Sequence, residues 1–267
     1  MCIVFVIFNL NKEMPLTILT NRDEQYNRET LPLNWYEFKQ NTSENSYTLN
    51  ALCAKDISSC GAQFAVYSNG KFAVLTVFRE SDLLKNKDNH EIISRGKLPI
   101  LFGSMTIEEY KKYLIKNHTK YLGFNLVFGT VSDVWFFSNR DQNYPYVFKK
   151  ITHNFGIGNG YHDDIWWKVQ YGLDQISNIE NINTDSLFNI LFDKTLAPFN
   201  KVQKTECELD FEYNLSGIYC SKYMINNKGA FGTIGSYVHI FKNDCMETTE
   251  CCDYINPNKY VSYITHL

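Results

Sequence analysis

The feature that most constrains the fold is the apolar run CIVFVIF at residues 2–8. Its β-branched and aromatic side chains predict a strand, and LTILT at residues 16–20 predicts a second strand after the polar stretch NLNKEMP. If the intervening loop is centred near Lys12, antiparallel partners have numbers that sum to about 24. Cys2 is then expected opposite Arg22, to within about two residues. The hairpin therefore brings a thiol next to the charged cluster NRDE that ends the second strand.

Two further hairpins are indicated in the first half of the chain. Asn69 and Gly70 lie between alternating apolar residues in QFAVYSNGKFAVLTVF, and this dipeptide is typical of a tight turn between antiparallel strands. The stretch GFNLVFGTVSDVWFFS predicts a third pair of strands that turns at residues 130–132. Antiparallel pairing is therefore expected to dominate the sheets.

Helical patterns separate these hairpins from a last group of strands. Thr106, followed three residues later by Glu109, forms a predicted capping box at the start of an amphipathic helix. Residues 163–176 repeat apolar side chains at helical spacing from Ile165 onward, and TDSLFNILFD predicts a third helix. From Gly217 the patterns GIYCSKYMI, SYVHIF and KYVSYI again predict strands. This order predicts an α+β protein in which helices cover antiparallel sheets.

Length, composition and charge limit the class of protein. The chain has 267 residues, of which 44% are hydrophobic and 15% aromatic, and no stretch reads as a linker, so one globular domain over residues 1–267 is expected. The net charge of −3 comes from interspersed acidic and basic side chains, which predicts no nucleic-acid partner. The first apolar run is too short to span a bilayer and lacks a basic leader, so no integral membrane segment and a cytoplasmic location are expected.

The cysteines and histidines give no metal-binding pattern. The eight cysteines contain no C-x-x-C, and in the absence of a secretory signal they are expected to be reduced thiols. The six histidines show no paired spacing, so no metal site is predicted. The neighbours Cys251 and Cys252 are compatible with a soft ligand or haem iron and equally with ordinary packing in a strand.

Cys2 is the main candidate for covalent chemistry. Removal of Met1 leaves a residue that carries a thiol and an α-amine on the same carbon, and the amine can act as the base for its own side chain. A nearby Arg22 is expected to lower the pKa of the thiol, and Asp23 is expected to orient the ammonium group. The alternative is that Cys2 is a small hydrophobic residue that begins a strand, with NRDE as a solvated turn.

MCIVFVIF followed by TNRDEQYNR resembles the NRDE family, the family of the transport and Golgi organisation 2 proteins. The likeness continues in order over most of the chain. The later matching positions are Trp35, SRG at 94–96, GFNL at 123–126, GIGN at 156–159, Trp166, Lys168, and GT at 232–233.

The resemblance implies a layered αββα sandwich of the N-terminal-nucleophile hydrolase type, similar to the cysteine acylases that cleave penicillin V and conjugated bile salts. The positions that match the acylase site are Cys2 as nucleophile, with Arg22 and Asp23 after the next strand. Asn159 is implied as the donor to an oxyanion, and Asn125 is a weaker candidate for that role.

The sequence departs from the family pattern at three places. Gly-Thr-Trp is replaced by residues 61–63, which end in Gln63, and Leu-Thr-Asn is replaced by residues 75–77, which end in Val77. Near the end, Ile234 stands where the family has an arginine, and an alkyl side chain cannot supply a guanidinium. The loss of an amide and a cation is expected to weaken amide hydrolysis.

Two functional hypotheses follow. The leading one, implied by the resemblance, is a non-hydrolytic protein that handles haem or a lipid-derived metabolite such as acyl-CoA, with links to Golgi organisation and association with mitochondria or Golgi. In that hypothesis haem is cargo, and no cofactor is required. The alternative is a cysteine amidohydrolase that uses Cys2 on an amide or thioester.

Overall fold

The structure is a computed structural model that describes residues 2–41, 46–80, 92–141, 147–205, 207–225, 229–251 and 260–266. Met1, His90 and Cys252 lie outside these ranges, so the predictions that concern them have no structural outcome. The strands are β1 Cys2–Asn11, β2 Met14–Gln25, β3 Thr30–Asn41, β4 Ser46–Asp56, β5 Gly61–Ala62, β6 Phe64–Val66, β7 Phe72–Val77, β8 Phe124–Thr130, β9 Asp133–Ser138, β10 Lys149–Ile151, β11 Phe155–Ile157, β12 Tyr223–Ile225, β13 Gly229–Phe241, β14 Cys245–Cys251 and β15 Tyr260–His266. The α-helices are α1 Lys97–Phe102, α2 Ile107–Asn117, α3 Trp167–Ser177, α4 Thr184–Leu191 and α5 Leu209–Asn214.

The strands of the described residues form two antiparallel sheets. The first sheet has the order β11-β1-β2-β13-β14-β15, and β12 pairs with β13. The second sheet has the order β10-β9-β8-β7-β6-β4-β3, and β5 pairs with β4. Both chain ends therefore contribute to the first sheet, where β13 pairs with β2 next to the β1 hairpin.

Strand β1 is buried on both faces, which explains its unbroken apolar sequence. Val4 and Val6 belong to the core between the two sheets, whereas Ile3 and Phe5 pack with α3 and α4 on the outer face of the first sheet. Successive side chains of a strand point to opposite faces, so both sets of alternate residues must be apolar when both faces are covered. Cys2 is on the same face as Val4 and therefore faces the second sheet.

The outer face of the second sheet is covered by α1 and α2. Leu75 and Phe128 of the sheet pack with Phe102 of α1 and Leu114 of α2. The layers are thus helix, sheet, sheet and helix, and the predicted α+β sandwich of αββα type is confirmed.

The register of the first hairpin is confirmed, but the predicted long loop is wrong. Cys2 pairs with Arg22, and the ladder continues along the hairpin. The strands extend through the polar stretch until only Lys12 and Glu13 remain between them. Asn11 shapes this turn because its side-chain oxygen accepts from the Glu13 N–H at 2.9 Å. Polar residues were compatible with strand here because this end of the hairpin is partly exposed.

Most of the other predicted elements are confirmed. The turn at Asn69 and Gly70 joins β6 to β7, with Gly70 at a φ of 76°, and β8 and β9 turn at residues 131–132. Thr106 and Glu109 form both hydrogen bonds of the capping box.

Three predictions about element boundaries are wrong. The helix predicted over residues 163–176 begins at Trp167, and Ile165 is 52% exposed. The segment predicted as a strand from Gly217 pairs only over Tyr223–Ile225. Strands β3 and β4 were not predicted, because their sequences mix charged and apolar residues.

Candidate functional site

A cavity of about 300 Å³ opens at the end of the sandwich where β1 begins. Its apolar lining consists of Leu75, Val77, Ile92, Ile93 and Leu122, with Ala62. Its charged lining consists of Arg22, Asp23, Glu24, Arg28, Asp56 and Arg95. Cys2, Gln63, Ser59, Ser94 and Gly96 complete the wall. The cavity thus has the size of a small-ligand site and contains the thiol predicted from the sequence.

Cys2 lies in this cavity with only 5% of its surface exposed. Its backbone N–H points to the side-chain oxygen of Asn159 at 3.4 Å. Burial raises the pKa of the Cys2 thiol, and the Asp23 carboxylate adds to this effect; the terminal amine, Arg22 and the Asp23 backbone N–H oppose it. The net direction is upward, so the prediction that Arg22 would lower this pKa overall is wrong. Burial outweighs the neighbouring cation.

The charge of Arg22 is neutralised within the wall of the cavity. Its guanidinium donates to Asp56 at 2.8 Å and also to the hydroxyl of Thr30. Asp56 accepts a second hydrogen bond at 2.6 Å from Arg28, so one carboxylate lies between two guanidinium groups. Because Asp56 is on β4, the Arg22 pair joins the two sheets at the cavity.

Asp56 is an ionised carboxylate at neutral pH. Burial alone would raise its pKa, but hydrogen bonds from Arg28, Ser58 and Ser59 hold that pKa well below its usual range. The residues 56–59 form a turn in which the hydroxyls of both serines contact one carboxylate oxygen at 2.8 Å. This carboxylate was not predicted as a site residue; it follows no motif and meets Arg22 only through the stacking of the sheets.

Asp23 is fully buried beside Cys2 and is held by the last strands of the first sheet. Its carboxylate accepts from the Thr233 hydroxyl at 2.7 Å and from the thiol of Cys220 at 3.5 Å. Burial, followed by the charge of Asp23, raises the pKa of Cys220 to about 12. Thr233 belongs to the GT motif, so the sequence held a signal for it; Cys220 carried none. The role predicted for Asp23 in orienting an ammonium group stays a prediction.

Asn159 connects Cys2 to the second sheet. Its side-chain oxygen faces the Cys2 N–H, its Nδ2 donates to the Val77 carbonyl at 2.7 Å, and its own carbonyl accepts from the Arg79 N–H at 2.7 Å. The side chain is fully buried, and one of its two amide hydrogens is engaged by Val77. The predicted role of Asn159 as an oxyanion donor stays a prediction and would fall to the second hydrogen.

Asn125 contacts the segment on both sides of Asn159. Its Nδ2 donates to the Gly160 carbonyl at 3.0 Å and points to the Gly158 carbonyl at 3.4 Å. The hydroxyl of Thr76 donates to the same Gly158 carbonyl at 2.6 Å. Asn125 therefore positions the loop that carries Asn159, which accounts for a buried asparagine at this point of β8.

The three departures from the family pattern have different positions. Val77 contributes an apolar side chain to the cavity wall, whereas Ile234 is the extra residue of a β-bulge between Thr233 and Gly235 and does not line the cavity. Gln63 lines the cavity and donates to the Asn21 carbonyl at 3.1 Å. Its Oε1 is buried and has no hydrogen-bond partner among the described residues. The site therefore keeps polar groups that the departures alone did not predict.

Arg95 is a further cation in the cavity that sequence reasoning did not assign. It belongs to the SRG stretch, where it was noted only as part of the resemblance. Within the described ranges, no cluster of histidine, cysteine and acidic side chains could hold a metal ion. In the same part of the chain, no helix is long and apolar enough to cross a membrane.

The fold is that of the N-terminal-nucleophile hydrolases. A variant of the conjugated bile acid hydrolase from Clostridium perfringens is similar to this structure with a TM-score of 0.50 and 8% identity, over 98% of this chain and 92% of the other. The penicillin V acylase from Agrobacterium tumefaciens is similar with a TM-score of 0.41 and 14% identity, over 92% and 82%. The N-acylethanolamine-hydrolyzing acid amidase ortholog of Caenorhabditis elegans is similar with a TM-score of 0.41 and 11% identity, over 90% and 92%. At these identities the likeness shows the fold alone.

The family follows from the sequence itself. The family model described as Transport and Golgi organisation 2 matches residues 1–250, and the chain belongs to this family. No curated protein sequence matches the chain at a significant level.

Proposed function

We propose that this protein hydrolyses the amide bond of a small acyl compound and that Cys2 is the nucleophile. The observation that carries the proposal is the position of the Cys2 thiol in the cavity, with its own nitrogen held by Asn159. In that position a free α-amine and the thiol would share one carbon and one binding site. The proposal therefore requires that Met1 is removed.

The reaction is a two-step acyl transfer. The α-amine of Cys2 takes the thiol proton, and the thiolate attacks the amide carbon. The C–N bond breaks, the proton passes to the leaving amine, and the acyl group remains as a thioester. Water, deprotonated by the same amine, then cleaves the thioester to release a carboxylic acid and restore the thiol. The raised pKa of the buried thiol favours a neutral starting state that transfers its proton only when substrate is bound.

The shape and lining of the cavity support a small acyl substrate. Its volume of about 300 Å³ is at the lower end of the range for ligand pockets. Val77, Leu75 and Leu122 form an apolar wall opposite the charged groups, so an apolar acyl group and a polar amide can each contact a matching surface.

Two measurements test the nucleophile. Intact mass spectrometry must show that Met1 is absent from the purified protein. An activated thioester probe should then acylate Cys2 first, although Cys60 is the exposed thiol and Cys2 is buried. A Cys60→Ser variant is the matched control, because it removes the thiol most accessible to any reagent. Retention of Met1, or faster labelling of Cys60 than of Cys2, would overturn the proposal.

A second candidate is favoured by the apolar wall. Val77 replaces an amide with an alkyl group, which suits the retention of a lipid-derived metabolite such as acyl-CoA without hydrolysis. Cytoplasmic residence and an association with mitochondria or Golgi belong to this candidate. Haem as cargo has less support, because among the described lining residues only Cys2 is of a type that ligates haem iron.

Binding to the Cys2→Ala variant separates the two candidates. A carrier should bind a fluorescent fatty acyl-CoA as tightly in the variant as in the unmodified protein and should release it unchanged. A titration with haem, followed by its Soret band, tests that cargo in the same variant. Turnover that depends on Cys2 would contradict the carrier.

A further inference from the structure

Arg95 differs from the other two arginines that line the cavity. Arg22 and Arg28 both donate to Asp56, so their charges are balanced within the wall. Among the ion pairs of the described residues, none includes Arg95. The nearby Glu80 pairs with Arg140 at 2.8 Å instead. Arg95 is thus the cationic side chain of the cavity that has no ion pair within the part of the chain that the structure describes.

The backbone of Arg95 is held tightly against the second sheet. The Gly96 carbonyl accepts from the Ala62 N–H at 2.9 Å. A Cβ atom on Gly61 would lie 2.6 Å from the carbonyl carbon of Gly96, so the two segments approach at a distance that only glycine allows. Arg95 therefore projects from a rigid mount on one wall of the cavity.

The side chain of Arg95 has donors to spare. Its Nη1 donates to the Gly123 carbonyl at 2.9 Å, and a guanidinium has five N–H donors in total. Burial lowers the pKa of Arg95, while the charges of Glu80, Cys2 and Glu24 oppose that effect. The influence of Cys2 and Glu24 means that Arg95 is within electrostatic reach of the nucleophile. A partly buried cation with free donors next to the reacting thiol is stabilised by an anion that enters the cavity.

We propose that Arg95 binds a carboxylate of the substrate, so that the protein acts on amides that carry a carboxylate near the scissile bond, such as N-acyl amino acids. This inference rests on the proposed function of Cys2 and names its substrate class. The guanidinium fork matches a carboxylate with two parallel hydrogen bonds. The apolar wall at Val77 and Leu122 receives the acyl group, and Arg95 fixes the other end of the amide.

The test compares two amides that differ only in charge. An N-acylglycine and the corresponding N-acylglycinamide have the same acyl group and the same scissile bond. The unmodified protein should favour the acylglycine in kcat/KM by about 10- to 100-fold, which is the range expected for a charge-assisted bidentate contact. Arg95→Gln should abolish this preference while leaving turnover of the glycinamide nearly unchanged.

Two further variants keep the test sharp. Arg95→Lys keeps the charge without the fork and should retain a smaller part of the preference, which also guards against a folding defect in Arg95→Gln. Lys97→Gln removes an exposed positive charge two residues away, outside the cavity lining, and should keep the full preference. Equal turnover of both amides by the unmodified protein would overturn the carboxylate site while leaving hydrolysis by Cys2 in place.

A binding measurement distinguishes failure of the site from failure of the reaction. The Cys2→Ala variant should bind the acylglycine more tightly than the glycinamide in calorimetry, and Arg95→Gln in that background should remove the difference. If neither amide is hydrolysed but this difference is observed, the carboxylate site stands and the hydrolysis proposal fails. If neither amide is hydrolysed and the two bind alike, the carboxylate site is wrong as well.

Discussion

The space between the two sheets has two regions of opposite character. In the middle, Phe64 packs against Tyr237 and His239 with ring centroids 4.6 Å apart, and these side chains are buried. At the end where β1 begins, the same sheets enclose Cys2, three arginines and three carboxylates around a cavity. The middle holds the sheets together by burial of apolar surface, whereas the end does so by an ion pair that joins Arg22 to Asp56.

The difference shows where this fold can accommodate reactive groups. Charged side chains are costly in a closed core unless they are paired, but at the mouth of the sandwich they can be balanced in the wall or by a ligand. The thiols illustrate the same point. Cys53 lies in the closed core, where burial raises its pKa to about 12, and Cys2 lies on the cavity with the polar groups.

Replacement of the two buried thiols should break this comparison most strongly. Cys2→Ala should reduce amide hydrolysis by at least about 1,000-fold, because the nucleophile is lost, at a cost in stability of about 1 kcal/mol. Cys53→Ala should have a similar effect on stability and leave kcat nearly unchanged. Hydrolysis assays and urea denaturation of both variants check this, and an equal loss of turnover in Cys53→Ala would assign the effect to packing.

Truncation of the central ring should affect stability and not chemistry. Phe64→Ala should lower the free energy of unfolding by about 3–5 kcal/mol, because Phe64 is fully buried between Tyr237 and His239. The kcat of the folded fraction should stay close to that of the unmodified protein, since Phe64 does not line the cavity. Urea denaturation with assays at low temperature measures both, and an equal loss of kcat and stability would contradict the separation of the two regions.

Removal of the shared carboxylate should weaken the mouth of the sandwich. Asp56→Asn leaves the guanidinium groups of Arg22 and Arg28 without their common partner and should cost about 2–3 kcal/mol of unfolding free energy. Asp133→Asn is the control, because Asp133 pairs with Lys150 at the surface and should contribute less than about 1 kcal/mol. The low pKa of Asp56 means that its contribution is complete at neutral pH and is lost in acid, as the carboxylate becomes protonated. Equal losses in the two variants would rule out a special role for the Asp56 site.

Acid should reveal the neutral histidine in the closed region. Burial lowers the pKa of His239 to about 3 from 6.5. The unfolded chain therefore binds a proton that the folded protein excludes, so stability is complete above pH 6.5 and declines as the pH falls towards 3. At one pH unit below 6.5 the loss should be about 1.4 kcal/mol. Urea denaturation at pH 7.5 and 5.5 should show this difference in the unmodified protein and in the exposed control His153→Gln, but not in His239→Phe.

Local patterns in the sequence determined a large part of this protein. Alternation in β1, the Asn69-Gly70 turn and the Thr106 capping box each depend on residues a few positions apart, and the structure confirms all three. The pairing of Cys2 with Arg22 followed from the same local arithmetic of a hairpin. The family was also recognisable from the sequence, because NRDE and the residue before the first strand form a specific pattern.

Only the tertiary structure decided how the cavity is completed. Asp56 and Arg95 are 34 and 73 residues from Arg22 in the chain, and no periodicity relates them to it. They reach the cavity because the second sheet and α1 stack on the first sheet, and this packing depends on the whole core. Likewise, Val77 lines the cavity and Ile234 lies in a bulge because of strand ends and register shifts that local propensity does not encode.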